Sequence, residues 1–127
     1  MIGFTKEVVF HPAKVNGVVV EKLVRSICAG KDITVVFPPA LSGRASVDFI
    51  VDAVTAACRL IGVDTAVNKA TRKIEGNGCS IKFASPDTMR GLKMPNVLVY
   101  SYDKVNESVI DQILHSNAGK LTVVEVR

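Results

Sequence analysis

The chain has no tryptophan, and aromatic residues make up 6% of its 127 residues. Proteins that hold single-stranded nucleic acid by stacking its bases need exposed rings, so stacking is not an activity this composition supports. Cysteine is scarce. Cys28, Cys58 and Cys79 are odd in number, sit in apolar surroundings and lack metal-ligand spacing. Buried free thiols in a reducing cytoplasm are the expectation. The two histidines, His11 and His115, are far apart and carry no cysteine or carboxylate pattern around them. Neither a metal nor any other cofactor is therefore expected. No apolar run is long enough to span a bilayer, and no basic-then-apolar leader is present, so membrane insertion and secretion are not expected. The surroundings of Ser42 and Ser46 lack the Gly-x-Ser-x-Gly elbow of a serine nucleophile. Linkers, repeats and low-complexity tracts are missing too, which predicts one domain over residues 1–127.

Hydrophobic residues, by contrast, make up 48% of the chain and charged ones 22%, a globular balance long enough to build a core. The net charge of +4 permits contact with nucleic acid without requiring it. The stretch from Asp32 to Gly62 organises the rest. Ile33–Phe37 is a short run rich in β-branched residues, which predicts a buried strand. After a Pro-Pro loop, Ile50, Val54, Cys58 and Ile61 recur at helical spacing, while Asp48, Asp52, Thr55 and Arg59 form a polar stripe. That pattern predicts an amphipathic helix with Ser46 as N-cap and Gly62 as stop.

Elsewhere the map alternates. Glu7–Phe10 reads as a short strand. Val15–Cys28 reads as a helix with Val20, Leu23, Val24 and Ile27 on one face and a Glu21–Arg25 pair on another. Val63–Val67 reads as an edge segment, and Gly76-Asn77-Gly78 between Thr71–Glu75 and Cys79–Ala84 signals a hairpin, with Ile81 and Phe83 inward. Ser85-Pro86-Asp87 begins a turn or short helix through Arg90. Asn96–Ser101 is a second buried strand, in which Tyr100 belongs to the core and Tyr102, just beyond, is exposed. Asn106 caps a helix that stacks Val109 on Ile113 and Ile110 on Leu114, and Leu121–Val126 is a last strand. Strands alternating with helices predict an α/β domain, a three-layer mostly parallel sheet with helices on both faces and an inserted β-hairpin.

A strand, a tight loop and a helix start are also the setting of a phosphate cradle. Its Gly-x-x-x-x-Gly-Lys-Ser/Thr pattern falls here on Pro38, Gly43, Arg44 and Ala45, with Ser46 one residue on. The second glycine matches, Arg44 keeps a charge, and Ala45 offers no metal ligand. Taken by itself, the segment reads more simply as an ordinary strand–loop–helix corner.

From Asn77 to Leu114 the sequence resembles the approach to the Walker B strand in viral large terminases and related helicase-like ATPases. Arg90-Gly91 corresponds to their Arg-Gly turn, Val97–Tyr100 to the hydrophobic strand, and Asn106–Leu114 to the following helix. Ile33–Ile61 occupies the Walker A slot, giving a P-loop NTPase-like core. The resemblance implies an Asp-Glu pair that holds magnesium and positions water. Ser101 and Tyr102 stand in those places, and Asp103 is the nearby carboxylate. Because the loop has lost its first glycine and its Lys-Ser/Thr pair as well, and Gly43, Arg44 and Ser46 remain as a degenerate phosphate loop, the resemblance implies a pseudo-ATPase with no catalytic residues. A terminase would continue with more motor and a nuclease domain. The expected partner is a motor ATPase or nucleic-acid machine, in the host cytoplasm if the protein is viral. Two other readings remain open. One is residual nucleotide binding with slow hydrolysis. The other is a DNA- or RNA-binding accessory role through Arg72, Lys73, Lys82, Arg90 and Lys93, whose simpler reading is a solvated hairpin surface.

Overall fold

The computed structural model describes residues 3–37, 41–85, 96–114 and 119–127, the side chains of 3 and 41–44 excepted. Its strands are β1 (Gly3–Val9), β2 (Ile33–Val36), β3 (Thr65–Asn68), β4 (Lys73–Gly76), β5 (Cys79–Ala84), β6 (Asn96–Tyr100) and β7 (Lys120–Val126). Its helices are α1 (Val15–Cys28), entered through a short 3-10 turn at Pro12–Lys14, α2 (Leu41–Leu60) and α3 (Glu107–Leu114). The strands form one sheet in the order β1-β7-β6-β2-β5-β4-β3. Every neighbouring pair from β1 to β5 is parallel, and the last two ladders, β5–β4 and β4–β3, are antiparallel.

The two continuous apolar strands are central, as their sequences require. β2 lies between β6 and β5, with Val35 and Val36 buried, and β6 buries everything from Val97 to Tyr100. A strand buried on both faces has no polar face to alternate with. On one side of the sheet, Val35, Phe83, Ile81, Leu98, Tyr100 and Val124 pack against α1 and α2. On the other, Val36, Val97, Val99, Leu121 and Val123 pack against Val105 and Ile113 of the α3 region.

Several local expectations shift by a residue or more. The buried stripe of α1 is Val15, Val19, Leu23 and Ile27, with Val20 and Val24 only partly covered. The Glu21–Arg25 pair forms at 2.7 Å. Both long helices end in the way their glycines foretell. At Gly30 (φ +67°) and Gly62 (φ +82°) the chain turns left-handed, and Lys31 N–H and Val63 N–H reach back to the carbonyls of Ser26 and Cys58. The start of α2 differs from expectation. The helix begins at Leu41, so Ser46 lies inside it and is not its N-cap. Ile61, beyond the helix end, is exposed and does not continue the buried row of Ile50, Val54 and Cys58. Cys28 is also exposed, whereas Cys58 and Cys79 are buried.

The hairpin forms as its sequence predicts. Asn77 and Gly78 both have positive φ (50° and 75°), as a two-residue turn of this hand demands. Through β5 the hairpin is joined to β2, so it carries the sheet outward toward β3. Asn106 caps α3 by accepting from Ser108 N–H at 2.9 Å. The expected turn from Pro86 through Arg90 lies outside the described residues.

Candidate functional site

The site follows from strand order. Thr34, Val35 and Val36 of β2 stand beside Val97, Leu98 and Val99 of β6 in parallel register, so the two strands deliver their C-terminal ends together. In open α/β sheets ligands gather outside such carboxyl ends. Here a cavity of about 290 Å³ opens there. Val36 and Phe37 line it from β2, Val99, Tyr100 and Ser101 from β6, and Asp103, Lys104, Val105, Asn106 and Val109 from the segment leading into α3.

Ser101 and Asp103 therefore both border the cavity. They are also tied to each other, because Asp103 N–H donates to Ser101 Oγ at 3.2 Å. The Asp103 carboxylate accepts from Lys104 N–H at 2.8 Å and is exposed. Tyr102 goes elsewhere. Its hydroxyl donates to Asn16 Oδ1 on α1, and its ring meets Tyr100 edge-on, centroids 6.1 Å apart. It is half-buried against the helix-side core, not freely exposed as the sequence suggested.

Ser46 is committed too. Its hydroxyl lies 2.7 Å from the Tyr100 hydroxyl, across the interface between α2 and β6. Burial pushes the Tyr100 phenol far above its ordinary range, more than the Ser46 bond lowers it, so Tyr100 is neutral at any physiological pH. Gly43 and Arg44 lie in the first turn of α2, and their side chains are outside the described residues.

The basic residues of the hairpin do not gather into one patch. The Arg72 guanidinium lies over the Phe37 ring, 5.5 Å from its centroid, and Phe37 belongs to the helix-side core. Lys82 alternates with buried Ile81 and Phe83 and so faces the other side of the sheet. Lys73 stands directly opposite Lys82 and is paired with Glu75 at 2.7 Å. Arg90 and Lys93 lie outside the described residues. Among the described residues, no three histidine, cysteine, aspartate or glutamate side chains group as a metal site.

Sequence reasoning missed two contributors. Asn16, which anchors Tyr102, looks like any polar residue in a helix's first turn. Glu125 accepts from Val105 N–H at 2.9 Å and pairs with Lys6 at 2.7 Å, and so fixes the chain just past Asp103. Its signal was available: a lone carboxylate in the apolar run of β7 needs a partner.

No family model matches this chain, and no curated protein matches it. Solved structures do. The ATPase domain of the large terminase of Thermus phage P74-26 superposes with a TM-score of 0.63 at 10% identity, covering 95% of this chain and 58% of that one. A mutant of the same domain gives a TM-score of 0.61. The large terminase of a second, thermophilic bacteriophage is similar at 8% identity with a TM-score of 0.61, covering 96% of this chain and 33% of its own. This chain therefore spans little more than half of the phage ATPase domain, and at such identities the likeness is one of fold.

Proposed function

We propose that this domain is a non-catalytic relative of viral motor ATPases that serves as an interaction module for a motor ATPase or another nucleic-acid machine. The observation that carries this reading is the content of the strand-end cavity. Where the resemblance to terminases calls for a carboxylate pair, Ser101 borders the cavity and Tyr102 turns away to Asn16. Asp103 is the one carboxylate among the cavity's described lining residues. A hydroxyl in place of a metal-holding carboxylate brings no negative charge to magnesium, and a tyrosine cannot orient an attacking water as glutamate does. Ser46, the hydroxyl nearest the phosphate-loop pattern, is held by Tyr100. Loss of a single group acting on transition-state charge costs about 3–4 kcal/mol, and here several depart together.

The test is turnover and binding by the purified protein with ATP and magnesium. We expect no hydrolysis above background and binding no tighter than roughly millimolar, about 4 kcal/mol. Magnesium-dependent turnover that disappears in Arg44→Ala or Asp103→Asn would overturn the reading. Affinity capture from the native cell, expected to recover a motor ATPase or nucleic-acid machine, tests the interaction role. The alternative of nucleic-acid binding through the hairpin is less well supported, because Lys73 is paired with Glu75 and Arg72 sits on Phe37.

A further inference from the structure

The opposite end of the sheet holds a second cavity, also about 290 Å³, between the C-terminal half of α1 and the starts of β2, β6 and β7. Four of its lining residues are cationic. Lys22 and Arg25 come from α1, Lys31 from the segment that follows it, and Lys120 from the first position of β7. Asn96 stands beside Lys120 in register, Ser26 and Thr122 add hydroxyls, and Ile33 and Leu98 supply apolar wall. None of the described lining residues is a carboxylate.

Nearby acids neutralise only part of this charge, and Asp32, between Lys31 and Ile33, accepts with its carboxylate from Ser80 N–H at 2.8 Å. Glu7 pairs with Lys22 at 2.8 Å and Glu21 with Arg25 at 2.7 Å. Lys31 and Lys120 are exposed and form no salt bridge among the described residues. The C-terminal carbonyls of α1, which would repel an anion, are already bonded. Arg25, Ser26 and Ile27 accept from Ala29, Lys31 and Gly30 N–H, and the Asn77 side chain donates to Ile27 and Cys28. Cations near a helix C-terminus complement its dipole, which accounts for Arg25 and Lys31. It does not account for Lys120, which the β6–β7 register brings in from a distant part of the chain.

We propose that this cavity binds a phosphate-bearing ligand. Lys31 and Lys120 contact the phosphate, Arg25 supports it from the rim, and the remainder of the ligand rests on the half-buried Ile33. The site is independent of the strand-end cavity and of what that cavity does. Its volume suits one phosphorylated group, either on a free small molecule or as one unit of a nucleic-acid backbone.

Calorimetry with inorganic pyrophosphate and, separately, with a single-stranded oligonucleotide tests the assignment. The proteins compared are wild type, the Lys31→Gln/Lys120→Gln double variant, the charge-retaining Lys31→Arg/Lys120→Arg variant and a control at the exposed Lys69, Lys69→Gln. At least one probe is expected to bind wild type, to weaken as salt rises, and to lose about tenfold or more in the Gln double variant, as removal of two phosphate contacts predicts. The Arg variant and the Lys69 control should retain binding. Tighter binding of pyrophosphate assigns the site to a free phosphorylated ligand, and tighter binding of the oligonucleotide assigns it to a backbone. Failure of both probes to bind at millimolar concentration, or equal binding by wild type and the Gln double variant, would overturn the proposal.

Discussion

Glu125 is only 5% exposed, yet it is a carboxylate in a β-strand. Burial alone would raise its pKa. The Lys6 hydrogen bond, the Val105 N–H and the charges of Lys6 and Lys104 outweigh that and bring it below the ordinary value of 4.5. The folded protein thus holds this proton less tightly than the unfolded chain. The stability this gives is complete above pH 4.5 and is lost as pH falls through the depressed folded value. Thermal melts should therefore show a falling Tm below that pH, and Glu125→Gln should flatten the fall. At neutral pH the same variant should cost about 1.5–3 kcal/mol, the range for a hydrogen bond to a charged group. Tyr100 makes a smaller, uncharged test. Tyr100→Phe keeps the packed ring and removes the bond to Ser46, so denaturant unfolding should report a loss of about 1 kcal/mol. A loss near zero would mean that the bond to Ser46 adds nothing net to stability.

At the level of elements, the Asn77-Gly78 turn does two things. It closes the hairpin with two left-handed residues, and it ties the hairpin to the end of α1, because Asn77 Nδ2 donates to the carbonyls of Ile27 (2.8 Å) and Cys28 (3.2 Å). Asn77→Ala should lose both the tie and the tolerance for positive φ, at about 1–3 kcal/mol in an unfolding titration. Gly78→Ala, which has open space around the added Cβ, should cost only the backbone strain, about 1–2 kcal/mol. The turn was legible because its chemistry is local: two adjacent residues name it. The tie to α1 was not, since it joins residues 50 apart. Ser46 shows the same limit from the other side. A serine ahead of an apolar-periodic run looks like a cap, but the decisive partner, Tyr100, is 54 residues away. Ile61 misled for a related reason: it sits beside the left-handed Gly62, where the helical period that placed it inward no longer applies. Cys28, expected inward from its apolar surroundings, is the last residue of α1 and lies off the stripe of Val15, Val19, Leu23 and Ile27.

For the whole molecule, the two buried strands and the α/β class could be read from sequence because a continuous apolar strand needs cover on both faces. Strand order could not. Nothing local in Gly3–Val9 says that its neighbour is Lys120–Val126, and the strand-end cavity and the basic cavity both depend on such long-range neighbours. The cavities lie at opposite ends of the parallel strands, so a change at one is not expected to disturb the other. Lys31→Gln/Lys120→Gln should therefore leave the stability loss of Tyr100→Phe, which borders the strand-end cavity, unchanged within about 0.5 kcal/mol in denaturant unfolding, as distant independent sites behave.

The β1–β7 ladder also sets a clock. β1 pairs along its whole length with β7 and with no other described strand, so Gly3–Val9 must wait for residues made more than a hundred positions later. At about 5–20 residues per second the wait is of order ten seconds. During it, β1 is an unpaired strand carrying Phe4 and Val8, open to pairing with another chain. A ribosome-bound chain halted before Lys120 should therefore stay protease-sensitive across Gly3–Val9 even if α1 and the hairpin have formed. Once Lys120–Val126 has left the ribosome, that segment should become protected. Slowing translation over residues 115–127 should prolong this vulnerable interval and lower soluble yield.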